Sequence, residues 1–261
     1  MSIDRRRRIT FEEQADLYAE VRPGYPDALI EDIISLSGIP PGGRILEIGC
    51  GPGNATLPFA QRGHPILAVE LGEKLSALAR RNLAQYPQVE IVTAAFEDWP
   101  LQEAVFDLAI SADAFHWIVP EIGYPKVRQA LKPGGSLAFF WNAPSGKEMD
   151  WMQSVAKVYR QRAPEAVNPQ TRFSADWVVE TVSGTIRESG CFEAPLVRRY
   201  ELCRQETADQ FIKNLWTFSS HRELDPAQRN HLYQGIREVL DAAGGVVEVP
   251  HCVVLFMAKR N

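Results

Sequence analysis

The chain has 261 residues, 45% hydrophobic and 23% charged, an ordinary composition for a globular protein long enough to bury a sizeable core. Its formal net charge of -5 argues against nucleic acid as the main partner, because phosphate binding needs a basic field. No segment is apolar for long enough to span a membrane, and no apolar stretch follows the basic run Arg5-Arg6-Arg7-Arg8, which therefore reads as a solvated tail and not as an export signal.

In chain order, Phe11, Ala15 and Tyr18 share one face of a helix over 11–21. Arg22-Pro23-Gly24-Tyr25-Pro26 breaks it, and 28–36 forms a second helix. After the turn Pro40-Pro41-Gly42-Gly43, residues 44–48 read as a short apolar strand, followed by a glycine-rich loop and a helix over 56–62. Strands follow at 65–69, 89–93, 106–111 and 136–141. A helix marked by Leu75, Leu78, Ala79 and Leu83 lies between the first two of these, and another containing 127–131 lies between the last two. Beyond Trp141, residues 145–182 read as mainly helical with a loop near 164–169, and 196–202 as a strand. Helices carry Phe211, Leu215 and Phe218, then Leu232, Ile236, Val239 and Leu240, and 246–257 closes the chain as a strand. Strands alternating with helices predict a doubly wound α/β fold, with ligands at the carboxyl ends of a mostly parallel sheet. The expectation is one domain over 1–261, with a core at about 28–142 and 190–261 and a helical cover from the N-terminus, 143–189 and 205–242. Cys50, Cys191, Cys203 and Cys252 form no C-x-x-C pair, so no metal site is expected and reduced thiols in a cytoplasmic protein are the simplest reading.

The glycines of the loop, Gly49, Gly51 and Gly53, are spaced G-x-G-x-G. A dinucleotide fingerprint needs a glycine at 54, where Asn54 stands, and no G-K-[ST] follows for a Walker loop. Glu47 beside the loop would repel a pyrophosphate and suits a ligand carrying an amino group and a sulfonium. Glu70 ends the next strand, where an acid can accept hydrogen bonds from both ribose hydroxyls. S-adenosylmethionine (SAM) meets all three demands.

These residues resemble the class I SAM-dependent methyltransferases. Glu47-Ile48-Gly49-Cys50-Gly51-Pro52-Gly53 is similar to the family's first motif, Phe106–Ser111 to its fourth-strand motif, and Leu131-Lys132-Pro133-Gly134-Gly135 to the turn before its fifth strand. The segments Tyr18…Arg22-Pro23-Gly24-Tyr25-Pro26, Ala114-Phe115-His116-Trp117, Trp216-Thr217-Phe218-Ser219 and Met257-Ala258-Lys259-Arg260 resemble a small-molecule branch that includes trans-aconitate methyltransferases. The resemblance implies a seven-stranded sheet with helical insertions forming a lid. It implies Gly49, Gly51 and Gly53 along the methionine and ribose of SAM, Glu47 reaching the amino group through water, and Glu70 on the ribose. It places the Phe96 ring on adenine, Ser111 and Ala112 beneath the methionine moiety, and Tyr18 and Arg22 over the cofactor or on a carboxylate.

Methyl transfer from a sulfonium needs an aligned nucleophile and exclusion of water. A carboxylate acceptor needs no base; a phenol or carbon acid can need one. His116, after the fourth strand, is the candidate base, with a structural role or substrate orientation as alternatives. Phe115 and Trp117 are candidates for an apolar substrate wall or for core packing, and Arg22 for holding an anion. Arg172, Trp216 and His221 are candidate lid residues. The expected function is methylation of a small, carboxylate-bearing acceptor. A nicotinamide-dependent oxidoreductase and a non-catalytic SAM-fold binding protein are the alternatives.

Overall fold

A computed structural model describes residues 24–166 and 174–261. The expected helix at 11–21, with Tyr18 and Arg22, and Arg172 lie outside the described residues. The first described helix, α1 (Asp27–Ser37), ends on Gly38, whose left-handed φ of 65° lets its N–H return to the Ile34 carbonyl. Then come β1 (Ile45–Ile48), α2 (Thr56–Gln61), β2 (Ile66–Glu70), α3 (Glu73–Asn82), β3 (Val89–Thr93) and β4 (Phe106–Ala112). A 3-10 turn over Phe115–Trp117 leads to α4 (Pro120–Ala130), β5 (Leu131–Pro144) and α5 (Asp150–Arg162). The chain continues through α6 (Ala175–Glu188), β6 (Leu196–Thr207), α7 (Ala208–Leu215), α8 (Pro226–Ala242) and β7 (Val246–Lys259).

The sheet has seven strands in the order β3-β2-β1-β4-β5-β7-β6. β1 to β5 pair in parallel, and β7 runs antiparallel between β5 and β6. β1 and β2 are buried along their whole length, as strands covered on both faces must be. The strand order reverses between β1 and β4, so the loops at their carboxyl ends splay apart and leave a crevice.

On one face, α1, α2 and α3 pack Ile30, Phe59 and Ala79 against Ile45, Ala68 and Phe140. On the other, α4 and α6 pack Val127, Val178 and Ile186 against Leu67, Phe139 and Val254. A third cluster joins α5, α7 and α8 through Trp151, Tyr159, Phe211 and Ile236, and rests on Val247 and Val249 at the start of β7. That cluster is the helical cover. The expected cover segment 143–189 is therefore divided: α5 belongs to the cover, but α6 is a layer of the sheet, because Val178 and Ile186 face the apolar strands.

The expected turn at Lys132–Gly135 survives as an irregularity inside β5. Phe106 pairs with Leu131 and Leu108 with Ser136, so the turn bulges out between the two pairs. Lys132 Nζ pins it, 2.9 Å from each carboxylate oxygen of Asp107. β6 runs to Thr207, five residues beyond the expected strand, because β7 pairs with it to the end.

Candidate functional site

The crevice at the carboxyl ends of β1, β2 and β4 is a cleft of about 750 Å³, including its open mouth. Gly49, Gly51, Glu70, Leu71, Ala94, Phe96 and Trp117 line it. A smaller cavity of about 380 Å³ lies against Tyr25, Cys50, Asn54, Ala55 and Asn142. Gly49, Gly51, Ala112 and Asp113 line both, so the two join over the glycine loop.

The loop's shape is fixed at Gly49. Its φ is 73°, and a Cβ there would lie 2.5 Å from the Ala114 Cβ. Only glycine lets β1 turn away while the segment after β4 passes this close. Gly53, at φ 95°, faces Leu83, which a Cβ would meet at 2.9 Å. Gly53 thus seats the loop on the chain after α3 and does not line the cleft.

Glu70 lines the cleft. Its Oε2 accepts from Gly51 N and its Oε1 from Gly72 N, both at 2.9 Å. Two backbone donors hold the carboxylate still at the cleft wall. Glu47 is fully buried behind the loop and lines neither cavity. Neither of its oxygens has a hydrogen bond, nor does the Thr56 hydroxyl. Burial pushes the Glu47 carboxyl up to about 8, the nearby Thr56 hydroxyl opposes the rise, and the charge of Glu70 adds to it. Such an orphaned acid demands a cation or donor nearby. An amino group or sulfonium fits; a pyrophosphate does not.

The remaining site residues separate. Phe96 lines the cleft, but its ring is 3% exposed and stacks on Trp99 with centroids 6.1 Å apart. Ser111 is fully buried and donates to the Ile48 carbonyl at 2.7 Å, so it ties β4 to β1 and lines neither cavity. Ala112 lines both cavities. Phe115 forms no substrate wall. Its ring lies in the core, 4.2 Å from Phe139 and 4.9 Å from Tyr124, centroid to centroid. Trp117 does line the cleft. His116 is exposed beside it, rings 4.9 Å apart, and its Nδ1 accepts from Trp141 Nε1 at 3.1 Å. Of the candidate lid residues, Trp216 and His221 both sit within the cover, their rings against Tyr233.

Three residues at the junction escaped the sequence reading. Asp113 adopts the left-handed conformation at φ 53°. That conformation turns its carboxylate toward β5, where Oδ1 accepts from Asn142 N at 2.9 Å and Oδ2 from Asn142 Nδ2 at 2.7 Å. Oδ2 also accepts from the Tyr25 hydroxyl at 3.0 Å, while the Tyr25 ring stands edge-on to Phe140 at 4.7 Å. An acid directly after β4 was the available signal. Its partners are 29 and 88 positions away and no spacing announces them.

Residues 46–139 match a family model described as a methyltransferase domain. An uncharacterised methyltransferase of Mycobacterium tuberculosis is 27% identical over 179 residues, covering 65% of this chain and 70% of that one. A malonyl-[acyl-carrier protein] O-methyltransferase of Geobacter sulfurreducens is 33% identical over 147 residues, covering 52% of this chain and 53% of that one. Among solved structures, a candidate type II methyltransferase from Anaeromyxobacter dehalogenans superposes with a TM-score of 0.64 at 26% identity, covering 92% of this chain and 96% of that one. With the glycine loop, Glu70 and the orphaned Glu47 in place, the chain is a SAM-dependent methyltransferase of the class I fold.

Proposed function

We propose that this enzyme methylates a carboxylate oxygen of a small acceptor. The carrying observation is the hydrogen bond from Trp141 Nε1 to His116 Nδ1. An indole N–H can only donate, so Nδ1 must be unprotonated and the neutral imidazole carries its proton on Nε2. His116 in this state is a donor at the rim of the cleft, suited to hold an anionic oxygen and ill suited to take a proton. Asp113 is no better a base, since three donors already occupy its carboxylate. An acceptor that arrives ionised fits such a site.

SAM supplies an electrophilic methyl group. In this reading Glu70 holds the ribose, Glu47 lies toward the amino group through water, and the backbone of Gly49 and Gly51 gives close approach. Phe96 and Ala94 border the adenine end. Trp117 shields the cleft mouth from water, and His116 orients the acceptor carboxylate. Ester formation consumes a carboxylate and releases no proton. The malonyl O-methyltransferase relationship agrees with this chemistry. The test is a panel of small acids, phenols and amines with methyl-labelled SAM. Methyl esters are the expected products; exclusive labelling of amines or phenols would overturn the proposal.

A further inference from the structure

Four buried polar atoms without a hydrogen-bond partner lie on one face of three neighbouring strands: Asn142 Oδ1, His251 Nδ1, Arg204 Nε and Glu206 Oε2. Their alignment follows from register. Asn142 of β5 pairs with Val253 of β7, and His251 lies two residues from Val253, hence on the same face. His251 pairs with Leu202 of β6, and Arg204 and Glu206 follow at two-residue steps. From strand rise and spacing, successive members Asn142, His251 and Arg204 have Cα atoms roughly 8 Å apart. The row starts at Asn142, which lines the smaller cavity. It ends at Glu206, opposite Val247, which lies beneath the helical cover. It therefore runs along the sheet from the smaller cavity to the helical cover.

The charges along the row cancel. Arg204 and Glu206 form an ion pair at 2.9 Å, and Glu206 is only 7% exposed. Burial, and then Arg204, hold the His251 imidazole below its ordinary range, so it is neutral. The pair still offers one N–H donor and one carboxylate acceptor. A second carboxylate there would face Glu206, and an ammonium would face Arg204. A group that both accepts and donates would satisfy both atoms.

We propose that Asn142, His251, Arg204 and Glu206 recognise the far end of the methyl acceptor, and that this end is an uncharged hydroxyl or primary amide. The proposal rests on the carboxylate O-methylation reading. It makes Arg204 and Glu206 specificity-determining residues that do not touch the reacting atoms. Leaving such buried atoms unmatched should penalise an acceptor that ends in a methyl group.

The test uses straight-chain monocarboxylic acids of about eight to fourteen carbons, a range set by the two roughly 8 Å steps from Asn142 to Arg204, ending in methyl, hydroxyl, amide or a second carboxylate. With the wild-type enzyme, kcat/KM for the hydroxyl or amide should exceed that for the methyl-ended acid by about tenfold or more. Arg204→Met and Glu206→Gln should each shrink that ratio, Arg204→Met to near one. The isosteric Glu206→Gln decides alone if Arg204→Met fails to fold. A wild-type ratio near one, or a ratio unchanged in both variants, overturns the proposal. If no acid is esterified, the O-methylation reading falls, and calorimetric binding of the same acids to the S-adenosylhomocysteine-bound enzyme reads the same ratio. Equal affinities, or no binding of any acid, would then overturn the recognition row as well.

Discussion

Replacing Glu47 with glutamine should stabilise the cofactor-free enzyme at neutral pH, against the usual cost of altering a motif residue. The folded protein holds the Glu47 proton to about 8, whereas the carboxyl ordinarily loses it near 4.5. An acid with a raised folded-state pKa gives its full stability below the unfolded value and loses it as pH rises toward the folded one. Between these limits the loss is about 1.4 kcal/mol per pH unit. By pH 7 it reaches about 3 kcal/mol, a large share of the roughly 5–15 kcal/mol that holds a domain together. The glutamine side chain does not titrate, so the variant lacks this dependence. Denaturant unfolding of both proteins at pH 5, 6, 7 and 8 should show wild-type stability falling away from the variant as pH rises. Binding of a cation beside Glu47 should reverse the balance by ionising it. SAM binding to the wild type should thus release up to about one proton at pH 7, read by calorimetry in buffers of different ionisation enthalpy. Parallel stability profiles for wild type and Glu47→Gln would refute the argument, since they would mean that Glu47 titrates alike folded and unfolded.

On the proposed ribose role, Glu70→Ala should weaken S-adenosylhomocysteine binding by about 100-fold or more by calorimetry; an unchanged affinity would remove Glu70 from the ribose. Gly49→Ala adds left-handed strain and a Cβ 2.5 Å from that of Ala114, and should cost about 3 kcal/mol in denaturant unfolding. The double variant with Ala114→Gly should recover the clash but not the strain. Trp141→Phe deletes the donor to His116 Nδ1. Nitrogen NMR of His116 should then show a mixture of tautomers where the wild type shows the Nε2–H form, and an unchanged spectrum would show that Trp141 does not set the tautomer.

The fold was legible wherever burial dictates a mostly apolar run. β1 and β2, covered on both faces, show such runs, broken only by Glu47 and ended by Glu70. β6 continues past the expected 196–202 through the polar stretch Arg204-Gln205-Glu206. Its ladder continues because alternate side chains turn under the cover, and Glu206 is buried where Gln205 is exposed. The same limit applies to Ala114-Phe115-His116-Trp117. As a string it offers three rings for one site. A 3-10 turn spaces successive side chains by about a third of a revolution, so the three rings diverge. Phe115 enters the core, His116 faces outward and Trp117 lines the cleft. Residue type gave the chemistry available, and the turn decided which ring could use it.

Asp113 shows how the parts of the site depend on each other. A non-glycine residue at φ 53° carries strain of about 1–2 kcal/mol. Asparagine and aspartate tolerate this region better than other side chains do, and only a left-handed residue turns back from β4 toward β5. The strain is offset by three donors on one carboxylate, each hydrogen bond to a charged group contributing about 1.5–3 kcal/mol. Together the three bonds outweigh the strain, and on these magnitudes any two of them still do. Two belong to Asn142, whose remaining amide oxygen begins the polar row toward Arg204, and the third to Tyr25, just ahead of α1. The same turn brings Ala114 against Gly49. One backbone conformation therefore sets the glycine loop, the junction of the two cavities and the start of α1 together, which is why the two cavities meet at Asp113.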